Sequence, residues 1–70
     1  MQSIISGRLA GLEETKVSIQ IHTGEIKIYP RKELSVSLQW VFDNMGQPVV
    51  CMLRDGFVTD IKPASQRLAV

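Results

Sequence analysis

The sequence predicts a mainly β domain, either a small barrel of five or six strands or a rolled antiparallel sheet. Two segments run as alternating or apolar strand patterns and turn back at a glycine, which is typical of β-hairpins. A chain of 70 residues with 44% hydrophobic and 21% charged residues suffices for one domain and is too apolar for a disordered protein. We expect residues 1–63 to form this domain and residues 64–70 to form a flexible tail.

The first predicted strand covers residues 3–9, where Ile5 and Leu9 share one face and Gly7 lies between them. A glycine inside a strand usually marks a bulge or a sharp bend. Small barrels need such bends to close, so Gly7 is consistent with a curved first strand. Residues 10–15 are expected to form the loop to the second strand.

The first hairpin is predicted from strict alternation over residues 16–22 and 25–29. A two-residue loop pairs Ile21 with Ile26 on the buried face and His22 with Glu25 on the wet face. A longer loop, with the glycine at position 24 in a positive-φ conformation, shifts this pairing by one residue. Both alternatives stay open, because Thr-Gly is a weaker turn signal than Asn-Gly.

The second hairpin is predicted from residues 49–53 and 57–62, which flank Asp55 and Gly56. Both turn residues tolerate positive φ, so Asp-Gly is among the strongest short hairpin signals. The first arm is apolar on both faces, which favours a central strand or a strand within an interface. Pro63 is expected to end the second arm, since it has no N–H to donate to a partner strand.

The segment 30–47 fits two predictions. As a helix, it places apolar residues along one stripe, with a glycine at the C-cap position; these are Leu34, Leu38, Val41, Phe42, Met45 and Gly46. As a strand, Val36, Leu38, Trp40 and Phe42 alternate with more polar positions, and such residues favour strands. We favour a helical turn at residues 31–34 followed by a strand. The alternative is a short helix of two or three turns between residues 31 and 45.

The order of predicted elements resembles two small β folds. With a helix after the third strand, the order β-β-β-α-β-β resembles the OB fold, a partly open five-stranded barrel. Without that helix, the chain resembles an SH3-like barrel or another six-stranded roll. The chain has neither the aromatic ribonucleoprotein signature nor a KH-type Gly-x-x-Gly loop, so no family is assigned.

Size and cysteine content limit the sources of stability. A domain of this mass buries only about 60% of the surface of its extended chain. Cys51 is the single cysteine, so no intramolecular disulfide forms, and no Cys/His cluster offers a structural metal site. A tight barrel or self-association is the remaining source of stability. An unpaired cysteine without a signal-peptide pattern favours the cytoplasm, and apolar runs no longer than residues 49–53 argue against a membrane span.

Catalysis has little support in the sequence, and we expect no enzymatic activity and no cofactor. His22 is the single histidine and lies on a polar strand face, where a cross-strand pair with Glu25 explains it. Cys51 lies in an apolar run, which does not activate a thiol. Neither a phosphate-binding glycine loop nor a calcium loop is present.

Nucleic-acid binding is one functional hypothesis. The wet face of the first hairpin and its exit are expected to collect basic side chains and the single tyrosine; these are Lys16, Lys27, Tyr29, Arg31 and Lys32. Basic groups would follow phosphates, and the tyrosine would stack on a base. The OB resemblance implies a ligand face on the second and third strands, where this patch would lie.

Self-association has broader support in the sequence. Apolar residues of the central strand, the second hairpin and the ambiguous segment are expected to form an oligomer interface; these are Trp40, Val41, Val50, Met52 and Val58. Among them, Val41 and Val58 are expected to project outward. Aromatic residues and methionine are enriched at protein interfaces. We therefore expect a non-catalytic interaction module or accessory subunit that forms a homo-oligomer or binds another protein, with single-stranded nucleic-acid binding as the alternative.

Overall fold

The computed structural model describes residues 2–34 and 36–65. Its elements, in chain order, are β1 (Gln2–Leu12), β2 (Lys16–Gln20), β3 (Ile26–Pro30), α1 (Leu38–Asn44), β4 (Pro48–Arg54) and β5 (Phe57–Pro63). The strands form one antiparallel sheet in the order β3-β2-β1-β4-β5. The sheet is rolled and does not close, which confirms the predicted mainly β class with one short helix and the β-β-β-α-β-β order of the OB-like alternative.

Strand β1 is long and bent, and it pairs with two neighbours. Its first part lies against β4 and its last part against β2, so Arg8 is opposite both Pro48 and Gln20. The strand continues to Leu12, so the prediction that it ends at residue 9 was wrong. The bulge falls between Leu9 and Gly11 rather than at the expected glycine, because the pairing shifts where β1 leaves β4 for β2.

The first hairpin has the longer of the two predicted loops. Ile19 pairs with Lys27, and Ile21 N–H donates to the Glu25 carbonyl at 2.9 Å, which leaves three loop residues. Gly24 has φ +91°, as the longer loop requires. The two-residue register was therefore wrong, and the expected pairs of Ile21 with Ile26 and of His22 with Glu25 do not form.

The second hairpin confirms its prediction. Arg54 pairs with Phe57 across a two-residue turn in which Asp55 has φ +54° and Gly56 has φ +84°. Strand β4 lies between β1 and β5, as expected for an arm that is apolar on both faces. Strand β5 ends at Pro63, as predicted.

In the described part of the segment between β3 and β4, which omits residue 35, the chain forms a helix and no strand, so the favoured prediction was wrong and the alternative was right. The Ser37 side chain accepts a hydrogen bond from Trp40 N–H at 3.1 Å and caps the helix N-terminus. Gly46, at φ +78°, follows the C-cap residue Met45. These two local signals outweighed the strand propensity of the segment.

The core lies on the concave face of the rolled sheet. Its buried members come from every strand except β3; they are Leu9, Val17, Ile19, Val49, Cys51, Leu53, Val58 and Ile61. Cys51 is fully buried, which agrees with a small core side chain. Val58 is also fully buried, so the prediction that it projects outward was wrong; a bulge in β5 after this residue sets its face.

The two ends of the rolled sheet meet at one point. Arg31 forms an isolated parallel bridge with Val58, and Lys32 N–H donates to the Val58 carbonyl at 2.9 Å. Beyond β5, Ala64 N–H donates to the Pro48 carbonyl at 3.0 Å. Most of the predicted tail, residues 66–70, lies outside the described residues. Within the described ranges, no helix has the length and apolar character needed to cross a membrane.

Candidate interaction surfaces

The outer edge of β3 carries unpaired main-chain groups. Bonds from Ile21 N–H to the Glu25 carbonyl and from Arg31 N–H to the Thr15 carbonyl mark the two ends of the β2–β3 ladder. Hydrogen-bonded pairs alternate along an antiparallel ladder, so the N–H and C=O groups of Ile26 and Ile28 point away from β2. In the described parts of the chain these groups have no other partner. This edge is a template for another strand.

Apolar side chains accompany this open edge. Ile26 is 54% exposed and Ile28 is 60% exposed, on the convex face of the sheet. Glu25 and Lys27 flank Ile26, so by strand alternation they lie toward the opposite face, and both are exposed. Neither charged side chain forms an ion pair within residues 2–34 and 36–65. We call residues 25–28 the β3 edge.

The other edge of the sheet is protected. The Asp60 carboxylate accepts a hydrogen bond from Ile61 N–H at 2.9 Å, and this N–H belongs to the side of β5 that faces away from β4. Pro63 has no N–H on the same side. A partner strand would therefore find few donors on β5, whereas the β3 edge keeps its donors.

A second apolar surface lies on α1. Leu38, Phe42 and Met45, spaced as i, i+4 and i+7, are 77%, 73% and 42% exposed. We call these three residues the α1 stripe. A cavity of about 290 Å³ lies beside it, lined in part by Leu12, Val36 and Val41, together with Leu38 of the stripe. The helical periodicity of the sequence predicts that these three residues share one side of a helix, but it does not indicate that this side faces outward.

The predicted interface residues do not form one surface. Trp40 is half-buried and packs against the core, and Val41 is half-buried beside the small cavity. Val50 and Met52 are half-buried on the convex face of β4, opposite the core. Val58 lies in the core. The two-residue loop predicts Ile26 and Ile28 on the buried face, so they were not among the predicted interface residues. The longer loop, with Gly24 at positive φ, was the signal in the sequence for their exposure.

The predicted basic residues are distributed over the two faces of the sheet and the β3–β5 junction, where Arg31 and Lys32 meet Val58. Lys16 forms an ion pair with Glu13 at 3.2 Å and lies opposite Pro30, whereas Tyr29 is opposite the buried Val17. Strand alternation therefore puts Lys16 and Tyr29 on opposite faces. Tyr29 is half-buried against the core, so the single wet face predicted for these residues is not formed.

The basic residues after β3 have structural partners. The Arg31 guanidinium donates to the Glu13 carbonyl, and the Lys32 ammonium lies 4.5 Å from the centre of the Phe57 ring. These contacts join the end of β3 to the loop before β2 and to the start of β5. Lys27 is left as the predicted basic residue whose side chain has no hydrogen bond, ion pair or ring contact within the described residues.

Titratable groups in the described residues offer little for chemistry. No group of three or more His, Cys, Asp or Glu side chains there could hold a metal ion. Burial, together with the charge of Asp60, raises the pKa of Cys51 to about 12, so the thiol stays protonated near neutral pH. His22 lines an open cleft of about 640 Å³ with Arg8 and Gln20, without a carboxylate among the lining residues.

Comparison with protein-family models, with curated proteins and with solved structures found no match to this chain. Function is therefore inferred from the geometry of these surfaces.

Proposed function

We propose that the protein is a non-catalytic interaction module or small accessory subunit of the cytoplasm, which self-associates through the β3 edge. The observation that carries this proposal is the open edge itself, where unpaired main-chain groups and the exposed side chains of Ile26 and Ile28 lie together. A strand added at this position would satisfy the main-chain groups and cover both isoleucines. The protected state of β5 makes the β3 edge the more favourable site for pairing.

The small size of the β3 edge sets the expected strength of association. A contact confined to one short strand buries less than the ~1,200 Å² of a standard stable interface. We therefore expect a weak dimer whose population rises with protein concentration. The α1 stripe is the competing contact surface, because two of its side chains, Leu38 and Phe42, are more exposed than the two isoleucines.

The test is sedimentation velocity from about 10 µM to about 1 mM protein, a range that brackets weak association. The mean mass is expected to rise from one chain toward two. Ile28→Lys should leave the protein monomeric, whereas Ile4→Lys, at a 59% exposed position on β1, should not. A protein that stays monomeric throughout refutes self-association, and loss of the dimer on Phe42→Lys alone transfers the contact to the α1 stripe.

Single-stranded nucleic-acid binding stays the alternative proposal. Fewer observations support it than support self-association. Tyr29 is half-buried, and Lys16, Arg31 and Lys32 have partners within the chain. Titration of a labelled oligonucleotide at two salt concentrations tests it. Binding that weakens with salt, through release of counterions, would support this alternative, and no binding at low salt would exclude it.

A further inference from the structure

We propose that two copies of the chain pair antiparallel along the β3 edge, with the two-fold axis at Ile26. This inference rests on the proposed self-association and specifies its register. In this arrangement Glu25 lies opposite the partner's Lys27, and Lys27 opposite the partner's Glu25. The segment Glu25-Ile26-Lys27 is therefore self-complementary in charge under a two-fold axis.

The two symmetric registers next to it toward Pro30 are less favourable. An axis at Lys27 would place this side chain directly opposite its own copy, and like charges in opposed positions repel. An axis at Ile28 would place Ile26 opposite the partner's Pro30, which has no N–H to donate. Pro30 also precedes the bridge between Arg31 and Val58, so that part of the edge already lies against β5.

The register at Ile26 uses the main-chain groups of Ile26 that the monomer leaves unpaired. The N–H of Ile26 would donate to the carbonyl of the partner's Ile26, and the reciprocal bond would form by symmetry. The Ile26 and Ile28 side chains of both copies would lie on one continuous convex face, as direct and diagonal neighbours. The strand of the partner would end before the β3–β5 junction, so the pairing needs no rearrangement of the sheet.

Charge reversal tests the register. Lys27→Glu places two carboxylates in each opposed pair and Glu25→Lys places two ammonium groups there, so each variant alone should weaken the dimer about 10-fold or more. The double variant Glu25→Lys/Lys27→Glu should restore it. An equimolar mixture of the two single variants should also form a dimer, because their opposed charges are complementary. Single variants that dimerise like the wild type refute this register.

Disulfide cross-linking locates the axis. Opposed residues of a hydrogen-bonded antiparallel pair have Cα atoms about 5.5 Å apart, within reach of a disulfide. Under mild oxidation Ile26→Cys should therefore give a cross-linked dimer, whereas Ile28→Cys should not, since residue 28 faces the partner's Gly24. Cys51 is buried and stays unreacted.

The two experiments separate this inference from the proposed function. A dimer that forms in solution but cross-links at residue 28, or ignores charge reversal, keeps self-association and overturns the register. Absence of any dimer by sedimentation overturns the proposed function and the register together.

Discussion

Gly7 of β1 lies so close to Gln20 of β2 that a Cβ atom added to the glycine would be 2.5 Å from the Gln20 carbonyl oxygen and 2.6 Å from the Ile19 Cγ2 atom. The first of these neighbours is backbone and cannot rotate away. Gly7→Ala is therefore expected to lower the free energy of unfolding by about 3 kcal/mol, as overpacking does in a tight core.

Urea unfolding measures this loss, and Gly11→Ala in the same strand is the matched control. A Cβ at Gly11 would lie 3.7 Å from Ser18, an ordinary contact, so this variant should be close to the wild type. Equal stability of the two variants would contradict the close approach of β1 to β2.

The second prediction concerns the stability that the N-terminal cap of α1 contributes. Ser37→Ala removes the acceptor of the hydrogen bond from Trp40 N–H and is expected to cost about 1 kcal/mol of stability. Ser37→Asp keeps an acceptor at the N-terminus of α1, so this variant should retain most of the wild-type stability. Chemical denaturation gives both values, and the NMR shift of the Trp40 amide reports the cap directly; an unchanged shift in Ser37→Ala would contradict this hydrogen bond.

The two hairpins show how far side-chain chemistry determines strand register. Asp55 and Gly56 both accept positive φ, so a two-residue turn follows from their identity, and this turn was predicted correctly, whereas the bulge after Val58 was not. Thr23 is β-branched and does not readily adopt positive φ, so the first loop takes a third residue. That single residue moves Ile26 and Ile28 to the convex face, whereas the two-residue loop predicts both side chains on the buried face.

The orientation of α1 depends on tertiary packing, and the spacing of apolar residues in the sequence does not show this packing. Leu34, Val36 and Trp40 pack against the core as the chain leaves the β3–β5 junction. Trp40 therefore faces inward, and the α1 stripe, on the other side of the helix, faces solvent. The sequence has apolar residues on both sides of this helix, so it predicted the helix as an alternative but could not show which side is buried.

The protected edge of β5 makes a third prediction. Asp60→Ala leaves Ile61 N–H without its acceptor and is expected to lower the free energy of unfolding by about 1.5 kcal/mol. Asp60→Asn keeps an oxygen acceptor and should recover about half of the loss. Thermal and urea unfolding measure the series, and light scattering at high protein concentration should show more aggregation for Asp60→Ala, because its edge accepts a partner strand. An Asp60→Ala protein that matches the wild type in both measurements would refute the protective role of this bond.

The Cys51 thiol makes a prediction about pH. Burial, and then the nearby charge of Asp60, raise its pKa from 9.0 to about 12, so the fold favours the protonated form. This contribution to stability is complete below pH 9 and is lost as the pH rises from there toward about 12, because the unfolded chain releases the proton first. One proton changes the free energy of unfolding by at most about 1.4 kcal/mol per pH unit.

The comparison variant for this pH effect is Cys51→Ala, which lacks the titrating group. Its free energy of unfolding is expected to be lower than that of the wild type at neutral pH, since a buried side chain is shortened. Between about pH 8 and about pH 10.5 the wild type should lose stability relative to this variant, because one proton linkage separates the two proteins. Tyrosine and lysine side chains titrate in both, so their effects cancel in the difference. If the free energies of unfolding of the two proteins change in parallel with pH, the core does not hold the thiol in its protonated form.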